Sequence, residues 1–310
     1  MNASRKITWA ASLLLLTFLA GTISLLQRLD KLRSGAPLDD VLYIASPKLL
    51  KRLSLGYNGL LADVYWTRVV QYFGAKHHEG AEHYALLAPL LRITTELDPH
   101  LIVAYDFGAN FLAPTPPDGA GLPDEAVKLV EYGIESNPDN WKLYYQLGFI
   151  DYMQLKNYSA AADAFDRGSR VPNAHPFLKV LAAQMAQHAG DSQMARALWL
   201  TTYNNSNDSQ IRANAAVHLR ALQSDDTVTA LQGLVSQYHE KTGQFPASFY
   251  DMVSTGLLQG IPADPLGHPY KLSAAGQVQL SDPDDLPFVE KGLPPGYQRP
   301  KKPKSDPAKA

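Results

Sequence analysis

Apolar residues follow a helical period along most of this chain, and the pattern opens with one continuous apolar run. The run Ile7–Leu26 contains no charged residue. Twenty helical residues span roughly 30 Å, the thickness of a bilayer core, so the run predicts a retained transmembrane helix over about residues 7–27. A cleaved signal peptide is the alternative, although its apolar core is usually shorter. Basic residues flank the run on both sides, and the orientation of the helix stays open.

Beyond this run, small and apolar residues recur in pairs of helix-length segments up to about residue 223. The clearest pair joins residues 141–153 to residues 158–172. Glycine and alanine let two helices of a hairpin approach closely, aromatic side chains fill the remaining space, and proline ends the second helix. The residues at these positions are Tyr144, Leu147, Gly148, Ala161, Phe165, Gly168 and Pro172.

Other segments repeat this spacing less perfectly. They are residues 66–73 with 86–99, residues 104–111 with 126–138, and residues 188–202 around a turn at Gly190–Asp191. The order of positions resembles the tetratricopeptide repeat (TPR). That resemblance implies a mainly α fold: a solenoid of about four helical hairpins. A further helix at Ser209–Leu222 is expected to cap it.

The resemblance also implies where a partner would bind. In this family the concave wall of the solenoid is formed by fixed positions of each first helix, and such a groove takes up a protein or peptide segment. Carried onto this chain, those positions are Tyr105, Lys142, Tyr145, Phe149, Tyr152, Met153, Gln184 and Gln187. The expected groove is aromatic and nearly uncharged.

The pattern changes after residue 224. A helical period stops at Gly243, Ser248 and Asp251 have the spacing of a capping box, and two alternating segments flank residues 273–276 as in a β-hairpin. With the run "IPADPLGHPY" (261–270) between them, this order resembles the globular part of type II secretion pseudopilins. The resemblance implies a small α+β module, without the processing site that a polymerising pilin needs.

Composition and charge exclude several functions. The chain has no cysteine, which rules out disulfides and thiol chemistry, and its net charge of −2 gives no general attraction to nucleic acid. Histidines and acids cluster in "HHEGAEH" (77–83), but His78 and His83 are one residue too far apart for the zinc motif His-Glu-x-x-His. A metal-dependent envelope hydrolase using the His77–His83 cluster is the alternative function; otherwise no enzyme activity and no cofactor are expected.

These observations predict five segments. They are an anchor (1–34), a linker with a lead-in helix (35–62), the TPR-like domain (63–223), the pseudopilin-like module (224–291) and a disordered Pro/Lys-rich tail (292–310). The expected protein is a scaffold or adaptor that crosses a bacterial inner membrane once, through its N-terminal helix, and lies mostly in the periplasm. Its partners are expected to be the lipid bilayer and a protein or peptide, in a secretion or pilus-type assembly. No nucleic acid is expected as a partner.

Overall fold

The computed structural model describes residues 13–25, 28 and 46–299. Residues 13–25 are helical with exposed leucines, whereas the flanks of the predicted anchor, 7–12 and 26–27, lie outside the described residues. In the described ranges, no helix combines the length and apolarity needed to cross a membrane. The end of the predicted disordered tail, 300–310, also lies outside them, as does the linker up to residue 45.

The described chain is mainly α, as predicted, with one two-stranded antiparallel sheet. The helices of residues 46–299 are α1 (Pro47–Leu53), α2 (Asn58–His78), α3 (Leu87–Leu97), α4 (Ile102–Leu112), α5 (Pro123–Ser136), α6 (Trp141–Met153), α7 (Tyr158–Ser169), α8 (Phe177–His188), α9 (Ser192–Asn205), α10 (Ser209–Thr242) and α11 (Phe249–Ser254). The strands are β1 (Lys271–Leu272) and β2 (Val278–Gln279), and a 3₁₀ turn covers Pro283–Asp285.

The chain forms two compact units, divided inside α4. The first comprises Met1–Ala104 with Thr115–Ala120. In it, α2 packs against α3, and α1 also contacts α3. The buried residues of α2 recur every three or four positions (Ala62, Tyr65, Val69 and Tyr72), which is one face of a helix. The two helices therefore form a hairpin with an apolar seam.

The second unit contains Tyr105–Pro114 and Gly121–Ala310. From α5 to α10, each helix packs against the next along the chain. Glycines set the close approach: a Cβ on Gly148 would lie 2.5 Å from Cε1 of Phe165, and one on Gly168 would lie 2.6 Å from Cβ of Tyr144. The predicted pairing of small and aromatic residues is thus confirmed, and successive helical hairpins are stacked side by side.

Short polar side chains begin these helices. Asn140, Asn157, Asp191 and Asp208 each accept a hydrogen bond from a backbone N–H in the first turn of α6, α7, α9 and α10. Such caps stabilise a helix by roughly 1 kcal/mol each, because the first amides otherwise lack a partner. The cap residues therefore fix where each hairpin helix starts.

The helix α10 differs from the sequence prediction. Separate helices were expected on either side of residue 224, but Ser209–Thr242 is one helix of 34 residues. Two polar residues at this boundary have tertiary partners: the Ser224 hydroxyl is 3.0 Å from the Tyr270 hydroxyl, and Asp225 accepts backbone hydrogen bonds from Glu290 and Lys291. Because these partners satisfy both side chains, the helix continues through them.

The C-terminal half of α10 supports the small module. Its core packs Val228, Leu231 and Val235 against residues of α11 and the hairpin. The helix ends at Gly243, where φ is +74°. The capping box of Ser248 and Asp251 is present at the start of α11, which confirms that prediction.

The predicted hairpin is also present. In the antiparallel pairing of β1 with β2, Leu272 faces Val278. The run 261–270 before it is a tight joint, because Oδ1 of Asp264 accepts the amides of Leu266 and His268, both at 2.9 Å. His268 itself is partly exposed and serves the turn with its backbone.

Candidate partner-binding groove

One cavity that includes residues of the predicted groove lies across the first helices of three successive hairpins. It is a cavity of about 590 Å³ formed by α4, α6 and the N-terminal end of α8. Its lining residues are Asp106, Phe107, Asn110, Trp141, Lys142, Tyr145, Gln146, His175, Phe177 and Leu178. We call this cavity the groove pocket. The first helices of successive hairpins thus share one cavity.

The walls of the groove pocket combine aromatic rings with polar groups. Trp141 makes an edge-on contact with Tyr145 at 6.4 Å between ring centroids, and lies 6.3 Å from the His175 ring. Phe177 is 47% exposed at the mouth. The amides of Asn110 and Gln146 and the ammonium of Lys142 supply hydrogen-bonding groups. Such a surface is suited to an amphipathic segment that inserts apolar side chains and keeps polar contacts at the rim.

Asp106 is the acidic group of the pocket. Its Oδ1 atom is buried and has no hydrogen-bond partner among the described residues. Burial raises the pKa of this carboxyl, and the charge of Lys142 opposes that change. A buried acceptor without a partner is costly, so a donor brought by a bound segment would be stabilised here.

A row of aromatic rings continues from the groove pocket along α6 to α7. Tyr145 and Phe149 have ring centroids 4.6 Å apart, Phe149 and Tyr152 6.3 Å, and Tyr152 and Tyr158 6.0 Å. The rings of Tyr145 and Phe149 also contact Phe165 in the core. They are therefore half-buried, with one edge in the hairpin seam and the other at the surface.

The remaining predicted residues fall in different environments. Lys142 and Met153 are exposed on α6. Tyr105 is fully buried, and its ring lies 2.8 Å from the position that a Cβ on Gly133 would take. Tyr105 therefore belongs to the core between α4 and α5 and not to an open wall.

Gln184 and Gln187 lie in a second, smaller cavity of about 310 Å³. Residues Pro287–Glu290 of the same chain form its other wall. Gln187 is buried, and its Nε2 donates to the carbonyl of Phe288 at 3.1 Å. At this hairpin, the predicted groove positions are therefore covered by the chain's own C-terminal segment.

His218 on α10 lies at the centre of this contact. Its ring is stacked between Trp199, at 4.1 Å, and Phe288, at 3.7 Å. Because Nε2 of Gln187 donates to a carbonyl, the atom that faces Nδ1 of His218, at 2.9 Å, is the acceptor Oε1 of Gln187. Nδ1 of His218 therefore carries the proton and donates to it. Burial, with a smaller contribution from His188, lowers the pKa of His218 to about 4. The imidazole is neutral and structural.

The His77–His83 segment does not form a ligand cluster. The ring of His77 stacks on Phe73 at 5.6 Å, and its Nδ1 lies 2.7 Å from the carbonyl of Pro117. Helix α2 ends at His78, and Gly80 has φ of +66°. Over residues 13–25, 28 and 46–299, no group of three His, Asp or Glu side chains is placed to hold a metal ion. The alternative hydrolase function has no specific observation in its favour.

Sequence reasoning missed most of the groove pocket. Of its ten lining residues, only Lys142 and Tyr145 were predicted. Spacing by four residues on one helix face could have found others, since Asp106 with Asn110 and Lys142 with Gln146 are such pairs. His175 and Phe177 lie at the start of α8, and no pattern in the sequence predicted that this end of the helix would line a pocket.

Comparison with known proteins adds no relationship: no protein-family model matches the chain, and no curated protein matches it significantly.

Proposed function

We propose that this chain is a membrane-anchored adaptor of the tetratricopeptide type, which holds a segment of a partner protein in the groove pocket. The proposal rests on one observation above all. Three successive hairpins each contribute their first helix to a single cavity of about 590 Å³. A cavity of that size accommodates two or three side chains of a bound segment.

The chemistry of the pocket supports a peptide over a small charged metabolite. Its aromatic walls offer large contact area at low entropic cost. Its charged groups are one acid and one base, Asp106 and Lys142, so neither sign dominates. An amphipathic helix or extended segment with an apolar anchor and a hydrogen-bond donor satisfies both features.

The membrane part of the proposal comes from the sequence. The uncharged run Ile7–Leu26 is long enough to cross a bilayer. We propose that it anchors the chain in a bacterial inner membrane, and that the bulk of the chain lies in the periplasm. Adaptor binding and anchoring are separate proposals, because the groove pocket would work on either side of the membrane.

The assignment to a secretion or pilus-type assembly rests on analogy. The module over residues 224–291 has the element order of a pseudopilin globular part: a long helix, a short helix and a hairpin. Two local features support the analogy: Asp264 accepts the backbone amide of His268, and Tyr270 is buried. On this analogy we propose that the adaptor belongs to a secretion or pilus-type assembly.

Crosslinking in native membranes tests the adaptor proposal. A photoreactive amino acid replaces Phe177 at the pocket mouth, and in a second protein it replaces Asp163, which is exposed on the second helix of a neighbouring hairpin. We expect a discrete crosslinked partner from position 177 and none from position 163. Equal crosslinking yields from the two positions would show that the partner does not bind in the groove pocket.

Variants then connect the crosslink to the pocket. Lys142→Glu reverses an exposed charge without touching the core, and Tyr145→Ala with Tyr152→Ala removes two rings of the aromatic row. Both proteins should lose the crosslink at position 177. Tyr145 also contacts Phe165, so the folding of the double variant must be checked by a circular dichroism melt. If the double variant is unfolded, the result of Lys142→Glu alone decides the test.

A further inference from the structure

Apolar side chains are concentrated at one exposed corner of the first unit. Helix α1, the turn after it and the start of α2 expose large apolar residues over a short stretch of chain. They are Leu49, Leu53, Leu55, Tyr57, Leu60 and Val64, with exposed fractions from 47% to 86%. We call this surface the α1–α2 corner. Exposed apolar side chains at this density along the chain mark a candidate contact surface.

The most exposed of these residues, Leu55, has a left-handed backbone conformation. Leu55 has φ of +50° and is 86% exposed, and Gly56 after it has φ of +95°. Leucine rarely adopts a positive φ, and Leu55 does so directly after the C-cap Ser54 of α1, the position at which helices commonly end in a left-handed residue. The turn therefore presents an apolar side chain to the surroundings in place of the glycine or asparagine that the conformation favours.

Basic side chains predominate at the corner. Lys48, Lys51 and Arg52 lie among its apolar residues, and the one acid of residues 46–64 is Asp63, which is exposed at the far end next to Val64. Cations beside exposed apolar side chains are the combination found on helices that lie in the headgroup region of anionic membranes. A second copy is a poorer occupant, because a two-fold contact would bring the same cations of both chains together.

The position of the corner in the chain agrees with a bilayer. The helix at residues 13–25 exposes Leu13, Phe18 and Leu25. From residue 25 to Ser46 the chain extends at most about 70 Å. If the N-terminal run is anchored, the corner is therefore confined near the same membrane.

We propose that the α1–α2 corner binds the surface of an anionic bilayer, with Leu55 and Leu60 in the interfacial region and Lys51 and Arg52 at the lipid phosphates. The contact would set how the first unit is presented to the membrane. It rests on the proposed anchor only for proximity, because the corner has its own apolar and basic residues.

The absence of cysteine allows a clean test on the full chain. Leu55→Cys, Leu60→Cys and, as control, Gln237→Cys are labelled with an environment-sensitive fluorophore and reconstituted into vesicles of phosphatidylcholine and phosphatidylglycerol. Position 237 is exposed on α10 in the second unit. At positions 55 and 60 we expect a blue shift and a loss of roughly half the emission to nitroxide-bearing lipids, as for side chains at headgroup depth. Position 237 should show neither.

Charge reversal and lipid composition separate a lipid contact from a protein contact. In Lys51→Glu with Arg52→Glu, and in vesicles of phosphatidylcholine alone, quenching at position 55 should fall towards the level of position 237. Disulfide-linked dimers through Leu55→Cys, with no lipid quenching, would replace the bilayer by a second copy and overturn the proposal.

Flotation and alkaline extraction distinguish failure of the corner from failure of the anchor. If the protein resists extraction but shows no quenching at positions 55 and 60, the anchor is supported and the bilayer contact of the α1–α2 corner is refuted. If the protein floats, is quenched at position 55 and is removed by alkali, the bilayer contact of the corner is supported and the anchor is refuted. Protein that does not float at all refutes both.

Discussion

The phenyl ring of Phe288 lies flat on the imidazole of His218, with ring centroids 3.7 Å apart and planes inclined by 12°. Trp199 stacks on the opposite face of the same imidazole. The segment before the C-terminus is thus joined to α9 and α10 by a three-ring stack, and Gln187 of α8 adds a hydrogen bond to it. These contacts connect the last hairpin with the segment around Phe288.

Phe288→Ala should weaken this contact. Removing a ring that is partly exposed but stacked on His218 is expected to lower the free energy of unfolding by about 1–3 kcal/mol. Chemical denaturation measures the change. Tyr250→Ala is the control, since Tyr250 is 72% exposed, and it should change the free energy by less than about 0.5 kcal/mol. Equal effects would show that the stack contributes no specific stability.

His218 gives the protein an acid-sensitive component of stability. Its pKa falls from 6.5 in the unfolded chain to about 4 in the folded one. Between these values the unfolded chain binds a proton that the folded chain does not, so stability is lost as the pH falls from 6.5 to 4. The loss attributable to this residue is roughly 2–3 kcal/mol.

The variant His218→Phe isolates that component. Burial raises the pKa of Asp151 and Asp225 to about 6, and these carboxyls favour folding as the pH falls, but they are common to both proteins. The difference in free energy of unfolding, native minus variant, should therefore decrease from pH 7 to pH 4. Curves that stay parallel over this range would contradict the assignment.

Asp225 should hold the segment that follows Phe288. Its carboxylate accepts the amide of Lys291 at 2.7 Å and that of Glu290 at 3.0 Å. Asp225→Ala removes these acceptors, so we expect a loss of about 1–3 kcal/mol and faster hydrogen exchange at both amides. Asp226→Ala is the matched control, because Asp226 pairs only with Arg196 at the surface among the described residues, and such a pair contributes less than about 1 kcal/mol. Unchanged exchange at residues 290 and 291 in Asp225→Ala would refute the contact.

Two glycines in helices should respond oppositely to alanine. At Gly148 the new Cβ would meet the Phe165 ring at 2.5 Å, whereas nothing lies within 4 Å of the corresponding position at Gly233. Gly148→Ala should therefore lose about 1–3 kcal/mol through overpacking. Gly233→Ala should gain roughly 0.5–1 kcal/mol, because alanine has the better helix propensity. Thermal melts of the two variants suffice, and a stable Gly148→Ala would mean that the hairpin seam is looser than described.

The hairpins could be predicted because their signal is local. Gly148 and Phe165 are near in sequence, and a close helix contact leaves small residues at fixed spacing. The same holds for the turn at Asp264, whose partners lie two and four residues away. Local chemistry determines such elements, and a single sequence displays it.

The covered end of the groove could not be predicted in this way. Gln187 and Phe288 are 101 residues apart, and no periodic pattern links them. The continuity of α10 was missed for the same reason, since Ser224 and Asp225 resemble a helix start until Tyr270 and Lys291 are known to be their partners. Long-range partners change the meaning of polar residues that local rules assign to breaks.

The length of α10 has a consequence for how the second unit unfolds. A helix of 34 residues is about 50 Å long, and it contributes to the core of the last hairpin at one end and to the core of the module at the other. No flexible linker separates the two cores, so loss of either one leaves half of a helix without its packing surface. The repeats next to α10 and the module should consequently melt in one cooperative transition, and truncation after residue 223 should destabilise the hairpins that remain.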